Sequence, residues 1–322
     1  MTQRFAARGL AVFGSLTFLS LTAFLGFGAA QENGVPEDFV IHQDINLVLL
    51  DTGVTDHSGA YVAGLPKTSF KVTENGKDVP ITVFDSSDLP VTLGLIVDES
   101  GSMAARRLHV LAAAEALIKE SNPRDEVFVL NFNDTVTRGL PEGLPFSSDI
   151  AQLRLALHRG VPEGRTAIYD AVIMGLRQLN DGRKGRKALV LVSDGGDTAS
   201  ENKRTAMLAE LERSGATVYA IALFREGEKD ADPGLLRKVT KLSGGEFFNP
   251  NSIDDLTAAC RRIAKAIRSR YVIGYRPPAG KPGELRHVRV QARSESGAGL
   301  KVLARSSYRY REEGTASEAA SH

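Results

Sequence analysis

Between Val91 and about Arg270, short apolar runs alternate with stretches of helical periodicity, and this alternation restricts the fold more than any other feature of the 322-residue chain. Ala188-Leu189-Val190-Leu191-Val192 is apolar at every position, which suits a strand buried on both faces rather than one with a wet side. Val91–Val97, Glu126–Phe132, Lys187–Ser193, Ala216–Leu223 and Glu246–Phe248 have the same character, and Thr135–Arg138 reads as an edge hairpin partner. Helical spacing fills the gaps over Arg106–Ser121, Asp149–His158, Ala167–Leu179, Glu201–Ser214 and Ile253–Ser269. Strands and helices in alternation predict an α/β fold, a doubly wound and mostly parallel sheet with helices on both faces.

The flanks have a different texture. From Ile45 to Phe84 there are short strands and turns, with Asn75-Gly76 between Phe70/Val72 and Ile81/Val83 as a hairpin signal. After Tyr271 the chain returns to β texture over Tyr271–Tyr275, His287–Ala292 and Leu300–Ala304. Neither flank alone offers enough strands for a stable sheet, so the two are expected to fold together into a small antiparallel sandwich with the α/β unit inserted. The organisation read from the chain is then a leader at 1–30, an N-terminal β segment at 31–89, the α/β domain at 90–270, a C-terminal β segment at 271–311 and a disordered tail at 312–322.

Arg4 and Arg8, an apolar run from Leu10 to Phe27 and the small residues Gly28-Ala29-Ala30 have the layout of a secretory signal peptide. An uncleaved N-terminal membrane anchor is the competing reading, because the run approaches spanning length. Both make the rest of the chain exported, either periplasmic or secreted. Apolar residues at 42% and charged residues at 25% exclude disorder over the whole length, and a formal charge of +1 removes any general attraction to nucleic acid or an anionic membrane. Cys260 is the single cysteine, so a disulfide framework and thiolate metal sites are excluded. It reads as a buried apolar residue of the last helix, on one stripe with Ile253, Leu256, Ile263 and Ile267. The basic residues Arg261, Arg262, Lys265 and Arg268 read as that helix's solvated face.

Chemistry concentrates at the end of the first buried strand. Asp98-Glu99-Ser100-Gly101-Ser102 offers a carboxylate and two hydroxyls at alternate positions of one tight turn before a helix. Open α/β sheets bind ligands at the carboxyl ends of their strands, where the winding reverses. Two further segments can converge there: Gly164-Arg165-Thr166, which precedes a helix, and Ser193-Asp194-Gly195-Gly196-Asp197, which follows another buried strand. The combined donors are Asp98, Ser100, Ser102, Thr166 and Asp194. An all-oxygen set of this kind suits a hard divalent cation, Mg²⁺ above all and also Mn²⁺. Only two of the five side chains are charged, so the ion would stay electrophilic enough to accept a carboxylate from outside.

These three segments together resemble the metal-ion-dependent adhesion site of von Willebrand factor type A (VWA) domains, over about 180 residues from Val91 to Arg270. The resemblance implies a Rossmann-like domain, not an enzyme, that binds a protein ligand through Mg²⁺ and an acidic residue of that partner. It implies direct coordination by Ser100, Ser102 and Thr166, with Asp98 and Asp194 coordinating directly or through water. It also implies a last helix able to shift when a ligand completes the metal's coordination, against the alternative of a rigid connection. The flanks more loosely resemble a bacterial group of exported VWA-related proteins with no settled role.

Nearby acids have plainer readings. Asp170 suits equally a place behind the metal ligands and a helix N-terminus, Asp197-Thr198 suits a cap for the helix that follows, and Glu99 is expected to point away from the metal and colour partner choice electrostatically. The histidines show no zinc spacing, and no phosphate-binding loop or hydrolase elbow occurs. A metal-dependent hydrolase and a structural envelope protein with a stabilising metal remain as the alternative functions.

Overall fold

The structure is a computed structural model that describes residues 47–224 and 230–310. The leader, the first part of the N-terminal β segment and the tail lie outside the described residues. The first flank supplies β1 (Val48–Thr55), β2 (Phe70–Glu74), β3 (Lys77–Val79) and β4 (Val83–Asp85). The α/β layer follows as β5 (Val91–Asp98), α1 (Arg107–Lys119), β6 (Glu126–Phe132), β7 (Val136–Arg138), α2 (Ile150–His158), α3 (Ile168–Asn180), β8 (Arg186–Ser193), α4 (Arg204–Ser214), β9 (Thr217–Ala222), α5 (Pro233–Ser243), β10 (Phe247–Phe248) and α6 (Ile253–Arg268). The second flank is β11 (Arg270–Tyr275), β12 (Leu285–Arg293), β13 (Gly299–Leu303) and β14 (Ser307–Arg309).

The α/β sheet runs β10-β9-β8-β5-β6-β7, parallel except for the antiparallel edge strand β7. Every residue of β5 and β6 is buried. Alternation along β5 divides its side chains between the two helical layers. Leu95 and Val97 face Val110, Leu117, Leu256 and Cys260 of α1 and α6, around a void of only about 10 Å³. Gly94 and Ile96 face the other way, and a Cβ on Gly94 would lie 2.4 Å from the Phe128 ring. Glycine is therefore required there by packing, since an interior at native density has no slack for a methyl group.

Helix α5 lies outside the expected elements, although its local signals are strong. Asp232 caps it by accepting the Leu235 N–H at 2.9 Å, Pro233 occupies its first turn and Gly244 ends it at φ 78°. Helix α4 starts at Arg204 rather than Glu201 because the Asp170 carboxylate takes the N–H groups of Glu201 and Asn202 at 2.8 and 3.0 Å, holding them in a loop. Along α6 the apolar stripe is buried at Leu256, Cys260, Ile263 and Ile267, but Ile253 is 53% exposed. Burial pushes the Cys260 thiol up to about 12, as expected for an inert core cysteine. Two of its basic residues depart from the expected solvated face: Arg262 pairs with Glu246 at 2.8 Å, and Arg268 with Asp125 at 2.9 Å.

The flanks pair with each other in one antiparallel sheet ordered β3-β2-β12-β13-β1-β11-β4, with β14 added on β12. The expected sandwich takes the form of a single sheet that curls on itself. Phe70 on β2 and Phe84 on β4 belong to strands far apart in this order, yet their rings lie 5.5 Å apart and both contact Tyr271. The hairpin at Asn75-Gly76 forms with both residues at positive φ. Its return strand is Lys77–Val79, while the expected return at Val83 instead pairs with β11.

Asp51 of β1 joins the two layers. It pairs with Arg186 of β8 at 3.2 Å and Arg270 of β11 at 3.1 Å, and both guanidiniums are nearly inaccessible. Burial raises the Asp51 carboxyl, but the two guanidiniums outweigh it and leave the group below its ordinary 3.8. Removing one member of a buried ion cluster strands the others without counter-charge. Asp51→Ala should therefore cost about 3–5 kcal/mol in equilibrium urea unfolding. A depressed carboxyl contributes fully above its unfolded value and loses that contribution as pH falls below it. The gap between wild type and Asp51→Ala should accordingly narrow on acidification below about pH 4.

Candidate metal centre

The site lies where the sheet reverses its winding. From β5 the chain proceeds outward through β6 and β7, then returns to place β8 on the other side of β5 and continues to β9. Parallel pairing sets Val97 opposite Val192, so Asp98 and Ser193-Asp194 leave neighbouring strand ends together. Asp98 is 2% exposed; its Oδ1 accepts the Ser100 N–H at 2.9 Å and its Oδ2 accepts the Ser193 hydroxyl at 2.6 Å. Ser193 Oγ in turn accepts the Gly195 N–H at 3.0 Å.

A short 3-10 turn over Gly101–Arg106 precedes α1 and carries Ser102 at its start. Ser100 and Ser102 Oγ atoms lie 3.1 Å apart, and the Ser102 hydroxyl donates to Asp194 Oδ2 at 2.8 Å. Asp194 Oδ1 accepts the Gly196 N–H at 2.9 Å. Four of the five expected donors thus form one continuous hydrogen-bonded chain. Asp98, Ser100 and Asp194 are buried and Ser102 is exposed, so the chain opens to solvent at Ser102.

Thr166 arrives on a loop docked by its backbone. The Gly101 N–H donates to Gly164 O at 3.1 Å, and the Ala167 N–H donates to Asn133 O at 2.8 Å. Thr166 donates its own N–H to Thr198 Oγ1 at 3.1 Å, while its carbonyl accepts from Thr198 and Ala199 at 2.8 and 3.0 Å. Its hydroxyl makes no hydrogen bond among the described residues.

The electrostatics of the cluster suit a cation. Burial pushes the Asp98 carboxyl up to about 6 against the lowering effect of the Ser100 and Ser193 hydrogen bonds, and the Asp194 charge adds to the rise. Two carboxylates and the serine hydroxyls converge, and among the described residues no basic side chain is bonded to either acid. A small hard cation is the natural counter-charge for such a donor set.

The neighbouring acids are employed otherwise. Glu99 is 1% exposed and accepts from Arg107 Nε at 2.8 Å, which corrects the expectation that it colours the surface seen by a partner. Asp197 accepts the Ser200 hydroxyl at 2.5 Å, and both stand at the N-terminus of α3, where Ser200 Oγ accepts the Tyr169 N–H at 3.1 Å. It serves the preceding helix rather than the following one. Two supports of the site, Ser193 and Thr198, escape the sequence reading. Strand register offers a signal for Ser193, which follows the partner of Val97; Thr198 has none, since its role depends on how two loops meet.

The family model for the von Willebrand factor type A domain matches residues 93–196, the stretch that carries most of β5, the serine loop, Thr166 and Asp194. This chain carries a VWA domain. The structure is similar to a von Willebrand factor type A protein from Catenulispora acidiphila, at 14% identity and a TM-score of 0.50, over 84% of this chain and 75% of that one. That coverage extends beyond the α/β layer into the curled sheet. It is also similar to an aerotolerance-related membrane protein from Bacteroides fragilis, at 19% identity and a TM-score of 0.45, over 55% of this chain and 98% of that one. A third is the vWF domain of a type V pili tip protein from Porphyromonas gingivalis, at 16% identity and a TM-score of 0.48, over 56% and 96% of the two chains. Among the described residues of the VWA protein, no helix is long and apolar enough to cross a membrane.

The turn that holds Asp194 in place depends on Gly195, at φ 86°, where a Cβ would come within 2.4 Å of the Asp232 carbonyl. Both the dihedral and the clash penalise any side chain. Gly195→Ala should lower stability by about 1–3 kcal/mol in thermal denaturation, and a change within error would show that the turn can rearrange.

Proposed function

We propose that the protein is an exported, non-catalytic binding module that holds Mg²⁺ between Asp98, Ser100, Ser102, Thr166 and Asp194 and captures a protein partner through an acidic residue that reaches the ion. The observation that carries this reading is the chain from Ser100 through Ser102 to Asp194, at 3.1 and 2.8 Å, beside a buried Asp98 that has no basic partner among the described residues. Bound there, Mg²⁺ would supply Lewis acidity for an external oxygen ligand; Mn²⁺ suits the same donors. The protein's part is to fix the oxygens and to leave the ion underneutralised, since three of the five donors are uncharged. Export rests on the leader, with Arg4, Arg8 and the apolar run Leu10–Phe27.

A binding role rather than catalysis is supported by the acids nearest the site. Glu99 is held by Arg107, Asp170 by the backbone of Glu201 and Asn202, and Asp197 by Ser200. Each is thereby engaged in a structural contact.

Calorimetric titration tests the metal assignment. Wild type should bind Mg²⁺ and melt at a higher temperature in its presence, while Asp98→Ala and Ser102→Ala should lose both effects; unchanged binding in both variants would reject the site. Capture of envelope proteins on the immobilised wild-type chain should then depend on Mg²⁺, be reversed by chelator and be absent for Asp98→Ala. Retention in chelator would place partner binding elsewhere and leave the metal a stabilising role.

A further inference from the structure

A second feature is independent of the metal centre. Strand β7 ends the α/β sheet, and a groove of about 380 Å³ runs between it and α3, within the range of about 300–1,000 Å³ common for ligand sites. Val136 and Arg138 line it from β7, and Ile173, Met174, Arg177 and Gln178 from α3. Asp170 and Asn202, bonded to each other at 2.8 Å, close the end at the start of α3, and Asp181 stands at the other end.

Three observations in this groove point to one kind of occupant. The first is the open strand edge. Thr137 pairs with Asn131, and the Gly139 N–H donates to Val129 O at 2.8 Å, so those backbone groups face β6. By antiparallel alternation the N–H and C=O groups of Val136 and Arg138 face away from the sheet, where no further strand lies among the described residues. The second is Gln178, which is 6% exposed; its Nε2 donates to Pro145 O at 3.0 Å, but its buried Oε1 has no donor among the described residues. A buried acceptor without a partner bears its desolvation cost uncompensated. The third is charge. Arg138 and Arg177 are exposed, and neither guanidinium has an ion pair or hydrogen bond among the described residues.

We propose that this groove binds an extended polypeptide segment of a partner protein, which adds to β7 as a further strand and sets an acidic side chain against Arg138 and Arg177. Backbone groups of Val136 and Arg138 supply the strand-like bonds, an N–H of the segment satisfies Gln178 Oε1, and the partly exposed Met174 receives an alternate side chain. Protection of a bare edge is the plainer role for Arg138. That role accounts for neither the second arginine nor the unsatisfied amide oxygen.

The test uses the full chain and a phage-displayed library of random twelve-residue peptides, selected in the presence of chelator so that no metal contributes. Selected peptides should carry Asp or Glu, and binding should fall about tenfold or more in the double variant Arg138→Ala/Arg177→Ala. Arg138→Pro should bind more weakly than Arg138→Ala, because it also removes the outward N–H; an edge strand tolerates proline there, and circular dichroism checks that the fold is kept. Amide hydrogen exchange at Val136 and Arg138 should slow on peptide binding. The proposal is overturned if selection yields no peptide, if wild type and the double variant bind equally, or if exchange at those two amides is unchanged.

Discussion

The parallel pairing of β5 with β8 is the constraint on which the rest of the molecule turns. It brings Asp98 beside Ser193 and Asp194 although they are far apart in the chain, and the Ser193 hydroxyl at 2.6 Å locks the Asp98 carboxylate between the strands. Pairing of this kind is possible only because both faces of β5 are covered by helices. Burial then works against the charge on Asp98, and the hydroxyl and amide donors around it offset that effect only in part. The site is thus a by-product of sheet topology that local loop chemistry makes usable.

The same topology bears on movement of α6. Its C-terminal end and the first residue of β11 are tied at three points. Arg186 donates to the Ile267 carbonyl at 2.6 Å, Arg268 pairs with Asp125 and Asp88, and Arg270 is enclosed by Asp51, Tyr219, Gly244 and Leu303. A shift of α6 along its axis must either break these contacts or carry β11 and the curled sheet with it. Since β11 follows after a single residue, no slack loop is available to absorb the displacement. Helix and sheet are therefore mechanically coupled, so that any displacement of α6 would be passed to the curled sheet.

The buried strands, the doubly wound order and the grouping of Asp98, Ser100, Ser102 and Asp194 are legible in sequence because each depends on local pattern plus a general rule of sheet winding. The runs Ala188–Val192 and Leu93–Val97 announce their own burial, since a strand without a polar position has no face to give to water. Helix α5 is announced as clearly at its ends, by Asp232, Pro233 and Gly244, yet its apolar pattern is too short to stand out between them. What sequence cannot show is long-range partnership. Asp51, Arg186 and Arg270 each read as ordinary charged residues in strands, and only the meeting of two sheets makes them a buried cluster. Glu99 misleads for the same reason, since nothing near it in sequence reveals that the segment around Gly160 closes over its carboxylate.

The hydroxyl-rich composition of the site has a consequence for how a cation could enter. Ser102 donates to Asp194 and shares a contact with Ser100. A hydroxyl has two acceptor lone pairs besides its proton, so turning the proton aside converts the same oxygen from a donor toward a carboxylate into a ligand for a positive ion. The oxygens themselves are already placed by β5, β8 and the 3-10 turn, and the Gly196 N–H continues to hold Asp194 from behind. In the proposed site, turning a hydroxyl proton frees an oxygen lone pair without moving the backbone that carries it. In the proposed function little binding energy is therefore lost to assembling the site, and more remains for the partner's carboxylate, which is the general advantage of preorganisation.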